Sequence, residues 1–165
     1  MKKFGKYLLW ALVVVLIGIQ FVRPQRNLSN DQTYHAKTKY ALPASVENIL
    51  KVACNDCHSN LTVYPWYATF QPVGTWLAQR LIDGKRHLHL SSFTNRPIAY
   101  QNHKMEEIIE MVKEGEMPLA SYTWVHRKAI LTPEQKTELT SWAQSVMDTL
   151  KANYPPDSLI MQRNR

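Results

Sequence analysis

The chain has 165 residues, 45% of them hydrophobic and 10% aromatic, with only five glycines, which excludes a disordered or low-complexity chain and fits one modest domain with appendages. A formal charge of +7 raises the question of nucleic acid, but the distribution answers it. Five of the 20 Lys and Arg (Lys2, Lys3, Lys6, Arg23 and Arg26) flank a single apolar run, and the other 15 face 13 Asp and Glu, so no basic stripe is left to track phosphates.

Residues 7–22, YLLWALVVVLIGIQFV, carry no charge. At about 1.5 Å per helical residue they give roughly 24 Å, a little less than a hydrocarbon core of about 30 Å. Phe4 and Gly5 lengthen the run, and Tyr7 and Trp10 suit the headgroup level. A cleaved signal peptide would end in small residues, whereas this run ends in Ile19, Gln20, Phe21 and Val22, so an uncleaved signal anchor is the preferred reading. Lys2, Lys3 and Lys6 before the run outnumber Arg23 and Arg26 after it, which places the N-terminus in the cytoplasm and the rest of the chain outside it. The spacing therefore predicts a transmembrane helix over 1–22, followed by a polar tether over 23–42.

From Pro43 the pattern becomes helical. Val46, Ile49, Leu50 and Ala53 share one helix face that leads into Cys54. The aromatic, proline-punctuated stretch LTVYPWYATFQP reads as a loop. Val73, Trp76, Leu77, Arg80 and Leu81 predict a second helix that stops at Gly84. Met105, Ile108, Ile109 and Val112 predict a third that ends at Gly115. A last helix starts with Thr132 as N-cap, Pro133 at its first position and Gln135 three after the cap. Its face is Leu139, Trp142, Ala143, Val146, Met147 and Leu150. No alternating strand pattern is present. The expectation is an all-α domain over 43–152, about four helices joined by long loops, with a tail over 153–165. Loops that long in so short a domain call for a staple: a metal, a disulfide or a cofactor.

The only two cysteines stand in Cys54-Asn55-Asp56-Cys57-His58. A thioredoxin-like redox pair follows a strand and lies at a helix N-terminus, whereas this pair follows a helix, where the dipole disfavours a thiolate. A zinc site needs four ligands, and the remaining histidines (His35, His87, His89, His103 and His126) offer no paired spacing to complete one. A disulfide closing so short a loop restrains the unfolded chain little. Cys-x-x-Cys-His reads best as a c-type haem attachment site. The two thiols add across the porphyrin vinyl groups, and the adjacent histidine falls beneath the ring as an axial iron ligand. One covalent haem c would also provide the missing core.

With His58 as one axial ligand, the second must come from elsewhere. Met117 follows a helix-ending glycine and precedes Pro118, so it sits on a stiffened loop, whereas Met105, Met111 and Met147 lie on helical faces and read as packing. His126 is the alternative sixth ligand, and an open position is a third. Methionine opposite histidine raises the reduction potential and favours electron transfer; a vacancy would point to gas binding or peroxide chemistry. Trp66 and Trp76 follow the motif closely and are expected to line the haem.

The segments IQFVRPQRN, CNDCHSNLTVYPWY, GEMP and SYTWVHRKAILTPEQKTELTSWA occur in this order over residues 19–145. In them the chain resembles the haem-binding domain of small, membrane-anchored bacterial c-type cytochromes. The resemblance implies a cytochrome c-like all-α fold, covalent haem on Cys54 and Cys57, His58 as proximal ligand and Met117 as distal ligand. Tyr122 and His126 also match recurrent positions. The expected function is that of a monohaem electron carrier, not an enzyme. It would be single-pass in a bacterial inner membrane with its C-terminal domain in the periplasm, and would serve redox proteins and no nucleic acid. The alternative is a haem-based sensor or peroxidase-like protein with a displaceable sixth ligand.

Overall fold

A computed structural model describes residues 2–161, so Met1 of the expected anchor and residues 162–165 of the expected tail lie outside the described residues. The elements are α1 (Lys2–Ile19), α2 (Ala44–Ala53), α3 (Asn55–His58), α4 (Val73–His87), α5 (Ile98–Glu114), α6 (Ala120–Thr123) and α7 (Pro133–Asn153). Short 3-10 turns lie between them, and no strand occurs among the described residues. The all-α expectation holds, and α2, α4, α5 and α7 are the four helices the periodicity predicts.

The core is built from three of those four. Val46, Ile49 and Leu50 of α2, Met105, Ile108 and Val112 of α5, and Leu139, Trp142, Ala143, Val146 and Leu150 of α7 form one buried cluster. Each set repeats at the 3.6-residue period, so each helix presents one apolar stripe inward. Trp142 satisfies its indole N–H on the Ala41 carbonyl at 3.0 Å. The start of α7 is fixed by a reciprocal cap: the Gln135 backbone N–H donates to Thr132 Oγ1 at 3.2 Å, and the Thr132 backbone N–H donates to Gln135 Oε1 at 3.0 Å. Gly115 closes α5 at φ 78°, a left-handed conformation that glycine adopts without strain.

Three expectations need correction. The polar stretch 23–42 is no free tether. His35, Ala36 and Tyr40 are buried, and Tyr40 donates to Gln101 inside the core. Asn27 is tied to the post-motif loop, its Nδ2 donating to Ser59 O at 2.8 Å and to Thr62 Oγ1 at 2.9 Å. A few small and aromatic residues embedded in a polar sequence are enough to anchor it. Second, α4 does not stop at Gly84 but runs to His87, because Gly84 is a packing residue inside the helix. Third, no helix among the described residues is long and apolar enough to cross a membrane. Helix α1 spends its first turns on Lys2, Lys3 and Lys6, and its regular hydrogen bonding ends at Ile19, so the charge-free stretch is shorter as helix than as sequence. It is nevertheless apolar all round: the successive residues Leu8, Leu9 and Trp10, about 100° apart on a helix, are 62%, 62% and 60% exposed.

Replacing Leu139→Ala, at 1% exposure between α5 and α2, is expected to lower unfolding free energy by about 2–5 kcal/mol in a denaturant titration.

Candidate haem site

Helix α2 delivers the cysteine motif. The Cys54 backbone N–H still donates to Leu50 O at 2.9 Å, and His58 N–H then donates to Cys54 O at 3.0 Å, so the motif turns tightly through α3 without leaving the end of α2. His58 Nδ1 lies 2.9 Å from the Leu88 carbonyl, the residue just after α4. A carbonyl only accepts, so Nδ1 carries the proton and Nε2 of the neutral ring keeps its lone pair. Burial pushes the His58 pKa below the ordinary histidine value, and the Leu88 bond opposes this only in part. The ring is thus a neutral donor with one nitrogen oriented and the other available.

The two thiols are not bridged to each other. Burial pushes Cys54 up to about 12 and Cys57 up to about 11, with the neighbouring Cys57 and Asp56 adding to the two shifts respectively. Both stay protonated at neutral pH, unlike a redox-active cysteine, whose thiol pKa is lowered.

A half-open cleft of about 310 Å³ lies against the motif, and Cys57, His58 and Met117 all line it. Cys54 does not line it; it packs against the core cluster. Helix α4 forms one wall with Arg80, Asp83, Gly84 and His87, residues spaced to share one face. Pro118, Leu119 and Tyr122 continue the wall that begins at Met117. Gly84 sets how closely α4 approaches: a Cβ there would stand 2.8 Å from Cys57 O and 3.1 Å from Cys57 Cβ.

Asp56, in the middle of the motif, joins this arrangement to the methionine segment. Its Oδ2 accepts from Tyr122 Oη at 2.8 Å, and its Oδ1 accepts from the Val63 backbone N–H at 2.9 Å. Burial first, and the Asp56 carboxylate second, hold the Tyr122 phenol well above its ordinary pKa, so it donates across the physiological range.

The other candidates lie elsewhere. His126 stacks on Tyr122 with ring centroids 4.2 Å apart and is not part of the cleft wall. Trp66 and Trp76 are not brought to the cleft: Trp66 is 78% exposed with its ring edge-on to Tyr67 and Phe70, and Trp76 is 45% exposed beneath the Arg80 guanidinium. Sequence reasoning missed His87 because it ended α4 at Gly84, and Arg80 and Asp83 because it gave that helix no part in the site. The i, i+3, i+4, i+7 spacing of 80, 83, 84 and 87 was the available signal.

The domain's burial is lopsided. Helices α3 and α6 and the 3-10 turn Trp66–Thr69 contain no buried residue, and α4 buries only Gly74 and Leu81. The elements around the cleft therefore lack the apolar core that α2, α5 and α7 share. The Cys57 thiol, an oriented imidazole and a thioether lining one cleft with no core of its own, with the Cys54 thiol three residues earlier in the same motif, fit a haem.

Fold and site together define a helical domain built to hold such a group. The model of the haem-binding domain family matches residues 14–145, and the chain belongs to that family. No curated protein and no solved structure matches it.

Gly84→Ala is expected to push α4 off the Cys57 carbonyl, costing about 1–3 kcal/mol of stability and lowering the haem-to-protein ratio on purification. Tyr122→Phe is expected to cost about 1 kcal/mol near pH 8. A phenol whose folded pKa is raised contributes stability that is present below its unfolded pKa, about 10, and is lost as pH rises beyond it. The stability gap between wild type and Tyr122→Phe should therefore close above pH 10, as read by denaturant titrations across that range.

Proposed function

We propose that the chain is a membrane-attached monohaem c-type cytochrome that carries electrons on the periplasmic side of a bacterial inner membrane. One observation carries the reading: His58, with Nδ1 engaged by Leu88 O, lines the same cleft as Met117 and Cys57. Cys54 and Cys57 would hold one haem through thioethers, with His58 as proximal and Met117 as distal ligand. Bound there, the group supplies an iron that alternates between ferrous and ferric, and the chain needs no catalytic residue of its own.

The protein's part is orientation and environment. Leu88 O fixes the His58 ring, and burial keeps it neutral. A thioether as the second ligand raises the potential and fills the coordination sphere, which suits transfer of electrons over binding of gases. Pro118, Leu119 and Tyr122 shield the methionine side from water, and the Arg80 guanidinium stands in the same wall, suited to a haem carboxylate.

Membrane attachment is supported by the all-round exposure of apolar residues on α1 and by the basic residues that bracket the segment 7–22. The excess of lysines before it supports a cytoplasmic N-terminus, and attachment of haem c outside the cytoplasm agrees with that orientation. The partners would be redox proteins that meet the domain there.

The test is expression with a cytochrome c maturation system, followed by visible spectra of wild type and Met117→Ala. The expected result is a haem band that survives denaturing electrophoresis, with a weak far-red absorption in the oxidised wild type that Met117→Ala abolishes. Attached haem with spectra indifferent to the substitution would move the sixth ligand to His126 or solvent and the function to sensing or peroxide chemistry.

A further inference from the structure

The aromatic residues that do not reach the cleft gather at the exit of α1. Gln20 and Gln71 clasp each other: Gln20 Nε2 donates to Gln71 O at 3.0 Å, and the Gln71 backbone N–H donates to Gln20 Oε1 at 3.0 Å. Gln71 Nε2 also donates to Val22 O at 2.9 Å, and Arg23 Nη1 donates to Thr69 O at 3.1 Å. Four hydrogen bonds therefore fix the segment 66–71 beside the last turn of the apolar helix. That segment and the helix exit then present Phe21, Val22, Trp66 and Phe70 outward, at 81%, 52%, 78% and 56% exposure. Trp66 and Phe70 pack edge-on at 5.9 Å, so the cluster holds its shape without being buried.

A basic cleft borders it. Arg23 and Arg26 line a cavity of about 250 Å³ together with Tyr64, Thr69 and Gln71, and no carboxylate lines it. Arg23 is oriented by Thr69 O, and the Arg26 guanidinium sits 5.0 Å over the Tyr64 ring. Exposed Trp and Phe beside guanidinium groups, at the exit of the charge-free stretch 7–22, match the chemistry of the lipid headgroup layer. There amphipathic rings settle at the boundary and cations meet phosphate.

We infer that Phe21, Val22, Trp66 and Phe70, with Arg23 and Arg26, form a footing that seats the haem domain on the anionic phospholipid surface and fixes its tilt. The inference rests on the membrane attachment proposed above and adds a second contact to it. A domain joined only by a flexible leash would tumble above the bilayer; this one is clasped to its helix through Gln20 and Gln71 and faces the lipid with the same edge. The cleft between α4 and the Met117 segment then points in one direction relative to the membrane plane, which restricts the partners that can approach it.

The experiment uses the full-length haem-loaded chain in oriented supported bilayers of phosphatidylcholine with phosphatidylglycerol. Polarised absorption of the main haem band is recorded for wild type, for Trp66→Ser/Phe70→Ser and for Arg23→Gln/Arg26→Gln. The wild type is expected to be dichroic, and both variants are expected to approach isotropy with unchanged haem spectra and unchanged retention by the bilayer. In hydrogen–deuterium exchange, wild-type amides 66–71 are expected to exchange several-fold more slowly in nanodiscs of the same lipids than in detergent, with α5 unaffected. If the bilayer does not retain the chain at all, the membrane reading and the footing fall together. If the chain is retained but the wild type is isotropic, or the variants are as dichroic as the wild type, only the footing is overturned. Variants that stay dichroic but exchange electrons more slowly with a reductant protein would assign the patch to a protein partner instead.

Discussion

The hydrogen bond from His58 Nδ1 to the Leu88 carbonyl is the constraint on which the site depends. An imidazole has two nitrogens and can offer only one lone pair when neutral, so whatever occupies Nδ1 decides what Nε2 can do. Placing the acceptor on backbone, rather than on a side chain, means that no rotamer change of the acceptor can undo the choice. The acceptor's position is in turn set by the end of α4: the Leu88 N–H donates to Gly84 O at 2.9 Å, and the chain leaves the helix in an extended conformation with its carbonyl free. Gly84 thus acts twice. Its carbonyl caps the turn that presents Leu88, and its lack of a side chain lets α4 come against Cys57.

The opposite wall is bound to the motif by a different kind of contact. Asp56 is one of the two residues between the cysteines, and it accepts from Tyr122 and from the Val63 backbone at once. A carboxylate has acceptor capacity for both, and a charge-assisted bond to a half-buried phenol is stronger than a neutral pair. The result is a cleft with two walls, the end of α4 and the segment from Met117 to Tyr122, each joined to the cysteine motif between them. His126 joins this arrangement through Tyr122, stacking on its ring and placing Nδ1 3.2 Å from its carbonyl, which makes it a support of the tyrosine.

What the sequence could disclose followed from how each part is held. Helices α2, α5 and α7 pack on one another, and close packing leaves a 3.6-residue stripe that any reader of periodicity can find. The cap at Thr132 and the closing Gly115 are local, so they too were visible. Motif chemistry made Cys54, Cys57 and His58 candidates without any fold. The tether at 23–42 and the end of α4 misled for one reason: in both, a single residue does by contact what its type argues against. Ala36 and Tyr40 anchor a stretch that is polar by composition, and Gly84 sits inside a helix because a neighbouring backbone needs the room. Trp66 and Trp76 were chosen by proximity to the motif along the chain, and such proximity says nothing about which side of a loop faces the cleft. The Leu88 carbonyl was illegible in principle, since every residue has one.

The uneven burial gives these local facts a common cause. Helices α2 and α5 each pack their stripe on α7 in one core, while α3, α6 and the turn at 66–69 bury no residue of their own. Elements of that kind are held by the contacts at their ends: to α2 through Cys54, to α4 through Gly84 and Leu88, to α1 through Gln71 and to the motif through Asp56. Short helices without buried side chains gain little from propensity alone and need an apolar surface to pack on. A flat, largely apolar ring inserted beside Met117, Leu119 and Ala53 would supply that surface to α3 and α6. On the proposed reading, haem would order the walls of the cleft against the core of α2, α5 and α7.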